Sequence, residues 1–405
     1  MDKQTGEAFV AVSSAEPDTV PADSESATAW TAFCRDLERA GHAVLAQPGT
    51  DAPPMQAETL RYLIRELRAG LEWFTEAELY DQPRFIHVDD SGSGPPGPNL
   101  DNTYLYAHVR PGRRYVVRID TTTIFDLIIG VSDVDYRNFG DYSLDDFTVD
   151  DDGVLEVVVA PSREGANWIE LPTAAYRLAI RIYYRDWATE RLGDVTIDRL
   201  DRDASAPAVP AVADMSDALA KTTEYVRTWP FKYPIFQTVY ADEIEPNTMR
   251  GPVPLPGGGE EIKYGLSRYR LDDDEALLIE TEVPDARYWG FHVYTMPWFS
   301  AIDPGHRVTS LNCAQAHVDE DGRVRIVVSH RDPGVQNWLD TGGFPTGAVF
   351  YRWIWTNDAP VPRARVVPVS DVRNLIPSGT PEFGPAERRE QLSVRRLHLQ
   401  RRNRA

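Results

Sequence analysis

The residues best suited to chemistry gather between positions 288 and 307. Tyr288, Trp289, His292, Tyr294, Trp298, Asp303, His306 and Arg307 set aromatic platforms beside a carboxylate, an imidazole and a guanidinium. Such a mixture can hold a polar, ring-containing ligand, because the rings bury area and the charged groups fix orientation. Side chains alternate along a strand, so Tyr288, Gly290, His292 and Tyr294 share one face, and Trp289, Phe291 and Val293 the other. One face is then core and the other can line a cleft. Asp303 and His306 are the candidate acid–base pair; Tyr288, His292, Tyr294, Trp298 and Arg307 are candidate ligand contacts. The plainer reading of the same residues is sandwich packing around a satisfied strand histidine.

A second cluster holds Arg331, Asp332, Asn337, Trp338, Asp340 and Arg352. Asp332 and Asp340 could be paired carboxylates, one with a pKa raised by burial or by its neighbour; Arg331, Asp340 and Arg352 join the candidate ligand contacts. Yet Asn167-Trp168-x-Glu170 repeats the Asn337-Trp338-x-Asp340 pattern. The repetition favours a structural loop in which Asn bonds backbone and Trp plugs one end of a sandwich.

Stronger signatures are absent. There is no Gly-x-Ser-x-Gly elbow, no His-Glu-x-x-His helix and no P-loop. Gly257-Gly258-Gly259-Glu260 precedes no helical pattern, so it reads as a hairpin-like loop and not a phosphate cradle. His87, His108, His317 and His330 lack ligand spacing for zinc. Asp133, Asp135, Asp141, Asp145 and Asp146 crowd one loop, a composition that suits calcium, although solvated charge is the default reading. No cofactor and no metal are expected.

The elements that must position these residues follow from periodicity. Residues 1–24 are poor in large apolar side chains and read as a disordered leader. A helical region follows over 25–82, with one helix over 26–45 and a second, with an apolar stripe through Leu60, Leu63, Ile64, Leu67 and Leu71, over 55–80. Ser91 to Pro98 is a Gly/Pro loop. Short β-branched and aromatic runs then mark a first β unit over 99–200. Residues 205–210 form an Ala/Pro linker, 211–232 a linker helix, and 233–375 a second β unit. The Arg-rich tail over 380–405 reads as solvated, frayed structure, with contact to a membrane surface or acidic patch as the alternative.

The chain repeats itself. At a shift of 160, Tyr104 to Arg110 meets Tyr264 to Arg270, and Val117 to Thr121 meets Leu277 to Thr281. At 169 to 170, Asp152 to Val159 meets Asp321 to Val328, and Gly165 to Glu170 meets Gly334 to Asp340. Asp-Gly supplies a positive-φ turn and the run after it fills one sheet face. Two copies of one unit stack and share a core. The expected fold is mainly β with helical additions: two tandem antiparallel, jelly-roll-like sandwiches under an N-terminal helical cap.

Composition narrows the partners. With 405 residues the chain exceeds the usual single domain. A formal charge of −21 argues against nucleic acid. Cys34 and Cys313, the only two cysteines, fit buried thiols in a reducing compartment. The opening residues show no secretory pattern and no run is apolar enough to span a bilayer, so a cytoplasmic location without membrane insertion is expected. Exposed strand edges allow a homodimer.

Glu280-Thr281-Glu282-Val283-Pro284-x-x-x-Tyr288-Trp289, then Ile302-Asp303 with Arg307, Ser310 and Asn312, then Arg331-Asp332-Pro333-Gly334-x-x-Asn337-Trp338-Leu339-Asp340-Thr341 resembles a bacterial family known only as a domain of unknown function, number twelve-fourteen. The resemblance is clearest from Leu277 to Trp355. It implies a jelly-roll-like sandwich and brings no catalytic residues. Asp303-Pro304-Gly305-His306-Arg307 departs from relatives that place an aromatic after the Asp. The reading that results is a protein binding a small organic or glycan-like ligand in an aromatic, Arg- and Asp-lined cleft of the second β unit, with hydrolase-like acid–base chemistry as an extension. The alternative is a binding or assembly module with no active site.

Overall fold

A computed structural model of the chain describes residues 24–78, 82–87, 97–201, 209–232, 245–255, 259 and 261–402. The leader, most of the Gly/Pro loop and of the Ala/Pro linker, and most of the Gly257–Glu260 loop lie outside the described residues.

Eighteen strands are described, nine in each unit, and they correspond one to one. In the first unit a five-stranded sheet runs β1(Ile86–His87), β2(Asn102–His108), β8(Arg177–Tyr183), β4(Asp126–Ser132), β5(Asn138–Ser143). Its four-stranded companion runs β7(Trp168–Glu170), β6(Val154–Ala160), β3(Tyr115–Asp120), β9(Val195–Arg199). In the second unit the orders are β10(Arg250–Val253), β11(Ile262–Arg270), β17(Thr346–Thr356), β13(Ala286–Thr295), β14(Ser310–Asn312), and β16(Trp338–Asp340), β15(Arg323–Ser329), β12(Glu275–Glu282), β18(Arg363–Pro368). Adding nine to every strand number turns one topology into the other. Even the one parallel pairing recurs, β6 with β7 and β15 with β16.

Each unit is a sandwich because its strands alternate. Val117, Ile119, Leu127, Ile129, Leu178 and Ile180 meet in the first core, and Leu277, Ile279, Phe291, Val293, Val349 and Trp353 in the second. Asp-Gly makes the turn before β6 and β15 in both, with Gly153 and Gly322 at φ of 81° and 74°. The Asn-Trp loops also match. Asn167 brackets the peptide of Thr148, accepting from its N–H at 2.8 Å and donating to its C=O at 2.7 Å. Asn337 does the same to His317, at 2.7 Å each way. The indoles of Trp168 and Trp338 donate to the carbonyls of Ala160 and Ser329. The loop reading of this motif therefore describes both copies.

The outer faces of the two five-stranded sheets pack on each other, with Ile128 and Tyr183 from one unit against Ile262, Tyr288 and Ile354 from the other. Two helical structures bridge the same pair of units. α1(Glu25–Leu45), α2(Pro53–Leu71) and α3(Val212–Lys232) pack together, and a π-helical turn over Glu72–Ala77 ends the second helix earlier than expected. Trp73 packs on Tyr106, His108 and Tyr176 of the first unit. Tyr62 stacks on Trp298 of the second unit at 4.6 Å, and Thr59 accepts from the Trp298 indole at 2.8 Å. These contacts set the buried face of α2, so Leu60 and Ile64 of the expected apolar stripe are turned to the surface.

The tail differs most from expectation. A short helix, α4(Val372–Leu375), precedes α5(Pro385–Arg402), and α5 is ordered by a stripe of buried arginines at seven-residue spacing. Arg388 binds Asp332 and the Val335 carbonyl; Arg395 binds the Pro304 and Ser310 carbonyls and lies 4.4 Å from the Trp187 ring; Arg402 binds the Leu100 and Asn102 carbonyls. Hydrophobic periodicity misses this helix because its anchoring side chains are charged: Arg395 is buried while Leu397 is exposed. Cys34 is likewise exposed, against the expectation of two buried thiols. No described helix is long and apolar enough to cross a membrane.

Candidate functional site at the seam between the units

The seam is built around Asp101, which enters it just before β2. Its Oδ1 accepts from the Trp187 indole at 2.8 Å and its Oδ2 from the Tyr288 hydroxyl at 2.5 Å. His292 Nε2 lies 3.4 Å from the same Oδ2. Burial works to raise the Asp101 pKa, but the contacts with His292 and the Tyr288 hydroxyl and the charge of the Arg402 guanidinium turn the shift downward, so the carboxylate stays ionised. His292 goes the other way: burial holds it down to about 4, and it is a neutral imidazole at neutral pH.

Arg352 fixes which nitrogen of His292 carries the proton. Its Nη1 is 3.2 Å from His292 Nδ1 and can only donate, so Nδ1 accepts and the hydrogen sits on Nε2, facing Asp101. The same guanidinium donates to the Tyr294 hydroxyl at 3.3 Å and to the Gly97 carbonyl, and stacks 4.3 Å over Phe350. Among the described residues no carboxylate lies in salt-bridge contact with it. Arg352 stays cationic, since the surrounding tyrosines outweigh the lowering effect of burial.

Across the seam, Arg181 stands beside Tyr183, Tyr104 and Tyr106 on the first unit's sheet, with Nη1 3.6 Å from Asp141. Among the described residues several of the surrounding polar atoms make no hydrogen bond of good geometry: Asn99 Nδ2, both amide atoms of Asn102, Arg181 Nη1 beside Asp141, the Tyr183 hydroxyl, and His292 Nε2 beside Asp101. Asn99, Asn102, Tyr183 and His292 are each at most 2% exposed. The expectation singled out Tyr288, His292, Tyr294 and Arg352 but missed Asn99, Asp101, Asn102, Tyr104, Arg181, Tyr183 and Tyr264. The internal repeat held the signal, because it aligns Tyr104 with Tyr264.

The other expected site residues lie elsewhere. Trp298 is a buried plug between the second unit and the helical cap. Asp303 and His306 form an exposed pair, His306 Nδ1 2.9 Å from Asp303 Oδ1, on a loop where Asp303 has φ of 41°. Arg307 pairs with Asp340 at 2.8 Å, and Arg331 is exposed. Asp332 is held by Arg388 and so does not pair with Asp340. The acids of the 133–146 loop diverge: Asp133 binds its own loop's N–H groups, Asp141 faces Arg181, Asp145 pairs with Arg287, and Asp146 caps a turn. Among the described residues no group of three or more His, Cys, Asp or Glu side chains could hold a metal.

Comparison with known proteins matches this architecture. No curated protein matches the chain. A solved structure described as a putative uncharacterized protein from Burkholderia cenocepacia is 28% identical with a TM-score of 0.79, over 85% of this chain and 98% of its own. The VPA0106 protein from Vibrio parahaemolyticus is 11% identical with a TM-score of 0.46, over 82% of this chain and 100% of its own. A family model described as "Protein of unknown function (DUF1214)" matches residues 131–186, in the first unit, and 267–356, in the second. The second segment contains the Leu277–Trp355 stretch, and the two matched segments, one in each β unit, are what the chain shares with that family model.

Proposed function

We propose that the protein binds a small organic ligand in the seam, against the outer face of the second unit's five-stranded sheet. One observation carries the reading: among the described residues, the buried Asn99, Asn102, Tyr183 and His292 and the half-buried Arg181 hold polar atoms that make no hydrogen bond of good geometry. A buried polar group without a partner costs about 1–3 kcal/mol. Several such groups in one place are a liability for folding alone, and a guest that bonds them removes the cost. Tyr264, Tyr294 and Phe350 add an aromatic wall, the Tyr264 and Phe350 rings stacked at 5.5 Å.

Tyr183→Phe tests this. It deletes one orphan hydroxyl and leaves the ring packed, so stability without ligand stays the same or rises, while retention of a co-purified small molecule, read by native mass spectrometry, falls. Unchanged retention, or a bare chain in both proteins, supports the assembly-module reading instead.

A second reading places acid–base chemistry at the Asp303–His306 pair, favoured by their 2.9 Å contact, in which a carboxylate orients an imidazole. His306→Ala abolishes turnover of the identified ligand if this pair is catalytic and leaves it unchanged otherwise.

A further inference from the structure

The polar atoms of the seam also say what kind of molecule they would hold, an inference that rests on the seam being a binding site. Asn99 Oδ1 accepts from the Asp101 N–H at 3.0 Å and lies 3.0 Å from the Tyr288 hydroxyl, which fixes the amide so that its orphan Nδ2 is a donor. Arg181 Nη1 can only donate, and His292 Nε2 carries the ring hydrogen because Nδ1 faces Arg352. Asn102 offers one donor and one acceptor whichever way its amide is turned, and the Tyr183 hydroxyl can serve either role. Asn99 Nδ2 and Arg181 Nη1 can only donate, His292 Nε2 donates beside Asp101, and Asn102 neighbours the Tyr183 hydroxyl, so the balance is toward donors and calls for a guest made mostly of acceptors.

Charge points the same way. Among the described residues Arg352 has no carboxylate in salt-bridge contact, and Arg181 has Asp141 at 3.6 Å. That leaves positive charge in surplus at the two guanidiniums, inside a chain whose formal charge is −21. In a region shielded from water such a surplus is costly, and an anion brings it down. The surroundings favour an organic body over a bare inorganic ion, since Tyr264, Tyr294 and Phe350 gather around Arg352 and Tyr104 stands opposite Arg181.

We infer that the ligand of the seam is a small organic carboxylate, its anionic head among the orphan donors and its carbon skeleton against the tyrosines and Phe350. A carboxylate accepts several hydrogen bonds at once and makes charge-assisted ones with Arg181.

Titration calorimetry on the full chain tests the inference with matched probes: benzoate, 4-hydroxybenzoate, succinate and glutarate against benzamide and succinamide. At least one carboxylate is expected to bind saturably, its amide at least tenfold more weakly, and Tyr183→Phe to weaken the carboxylate about tenfold. If amides bind as well as carboxylates and Tyr183→Phe weakens them, the ligand class is wrong and the seam remains the site. If probes bind and Tyr183→Phe changes nothing, or no probe of either kind binds, both the class and the seam are overturned.

Discussion

Arg181 and Arg352 occupy the same register position in the two β units: each stands opposite a tyrosine on the neighbouring strand, Tyr104 for the first and Tyr264 for the second. The tyrosines are equivalent by the internal repeat, and each arginine also lies within electrostatic reach of the other unit's tyrosine. Duplication thus brought two copies of a Tyr–Arg pair face to face. Their surroundings then diverged. Arg181 acquired Asp141, and Arg352 acquired His292, Tyr294 and the Gly97 carbonyl.

Asp101 is the charge that ties the units together. Asp101→Ala strands the Trp187 indole, leaves the Tyr288 hydroxyl with Asn99 alone, and removes a buried counter-charge from the Arg395 and Arg402 guanidiniums. A loss of about 3–5 kcal/mol is expected, the usual cost of breaking a buried charge network, measured by urea unfolding. A loss below about 1 kcal/mol would mean the contacts are incidental.

Helix α5 clasps both units through arginines. Truncation after Gly384 is expected to lower Tm and to shift tryptophan emission to the red, because Trp187 loses Arg395, Arg402 and the stacked His398 ring from its faces. Amide exchange should rise at residues 99–108 and 304–312. Unchanged emission and protection would show that the helix rests on the surface without sealing it.

The duplicated asparagines make the same two hydrogen bonds in different surroundings. Asn337 is 6% exposed, whereas Asn167 is half-buried. Asn337→Ala should therefore cost about 2–3 kcal/mol and Asn167→Ala no more than about 1, since water reaches the groups freed in the first unit. Equal losses from the two substitutions would contradict the comparison.

Acid should destabilise the fold through its buried histidines. Burial lowers His292 and His108 to about 4 and His398 to about 2. In the unfolded chain each titrates near 6.5. Their neutral forms are fully compatible with the fold above about pH 6.5, and below it the unfolded state binds protons that the fold refuses. Stability falls from pH 6.5 toward 4, by about 1.4 kcal/mol per pH unit for each such histidine. Tm measured from pH 7.5 to 4.5 should be flat at the upper end and fall steeply at the lower. A curve flat down to pH 4.5 would mean these imidazoles are free to ionise.

The sequence disclosed the parts of this protein that rest on apolar alternation. Asp-Gly turns, the runs after them and the Asn-Trp loops repeat because they serve backbone and core, and repetition is visible without coordinates. The alternation of Tyr288 to Tyr294 separated core from seam correctly, since Trp289, Phe291 and Val293 fill the second core. The partner of that outer face was hidden. Asp101 and Arg181 lie far from residue 292 in the chain, and only docking of one sheet on the other brings them near. Helix α5 was hidden for a different reason: its buried stripe is polar, and periodicity scans look for greasy residues.

Whether a ligand bonds Asn102, Tyr183, Arg181 and His292 is the decisive question. A crystal of the full chain, purified without small carboxylates in its buffers and then soaked with the tightest-binding probe, gives the most direct answer. Density for the carboxylate hydrogen-bonded to those side chains is the predicted result. Side chains bonded only to one another or to water, with the probe absent or bound elsewhere, would contradict it.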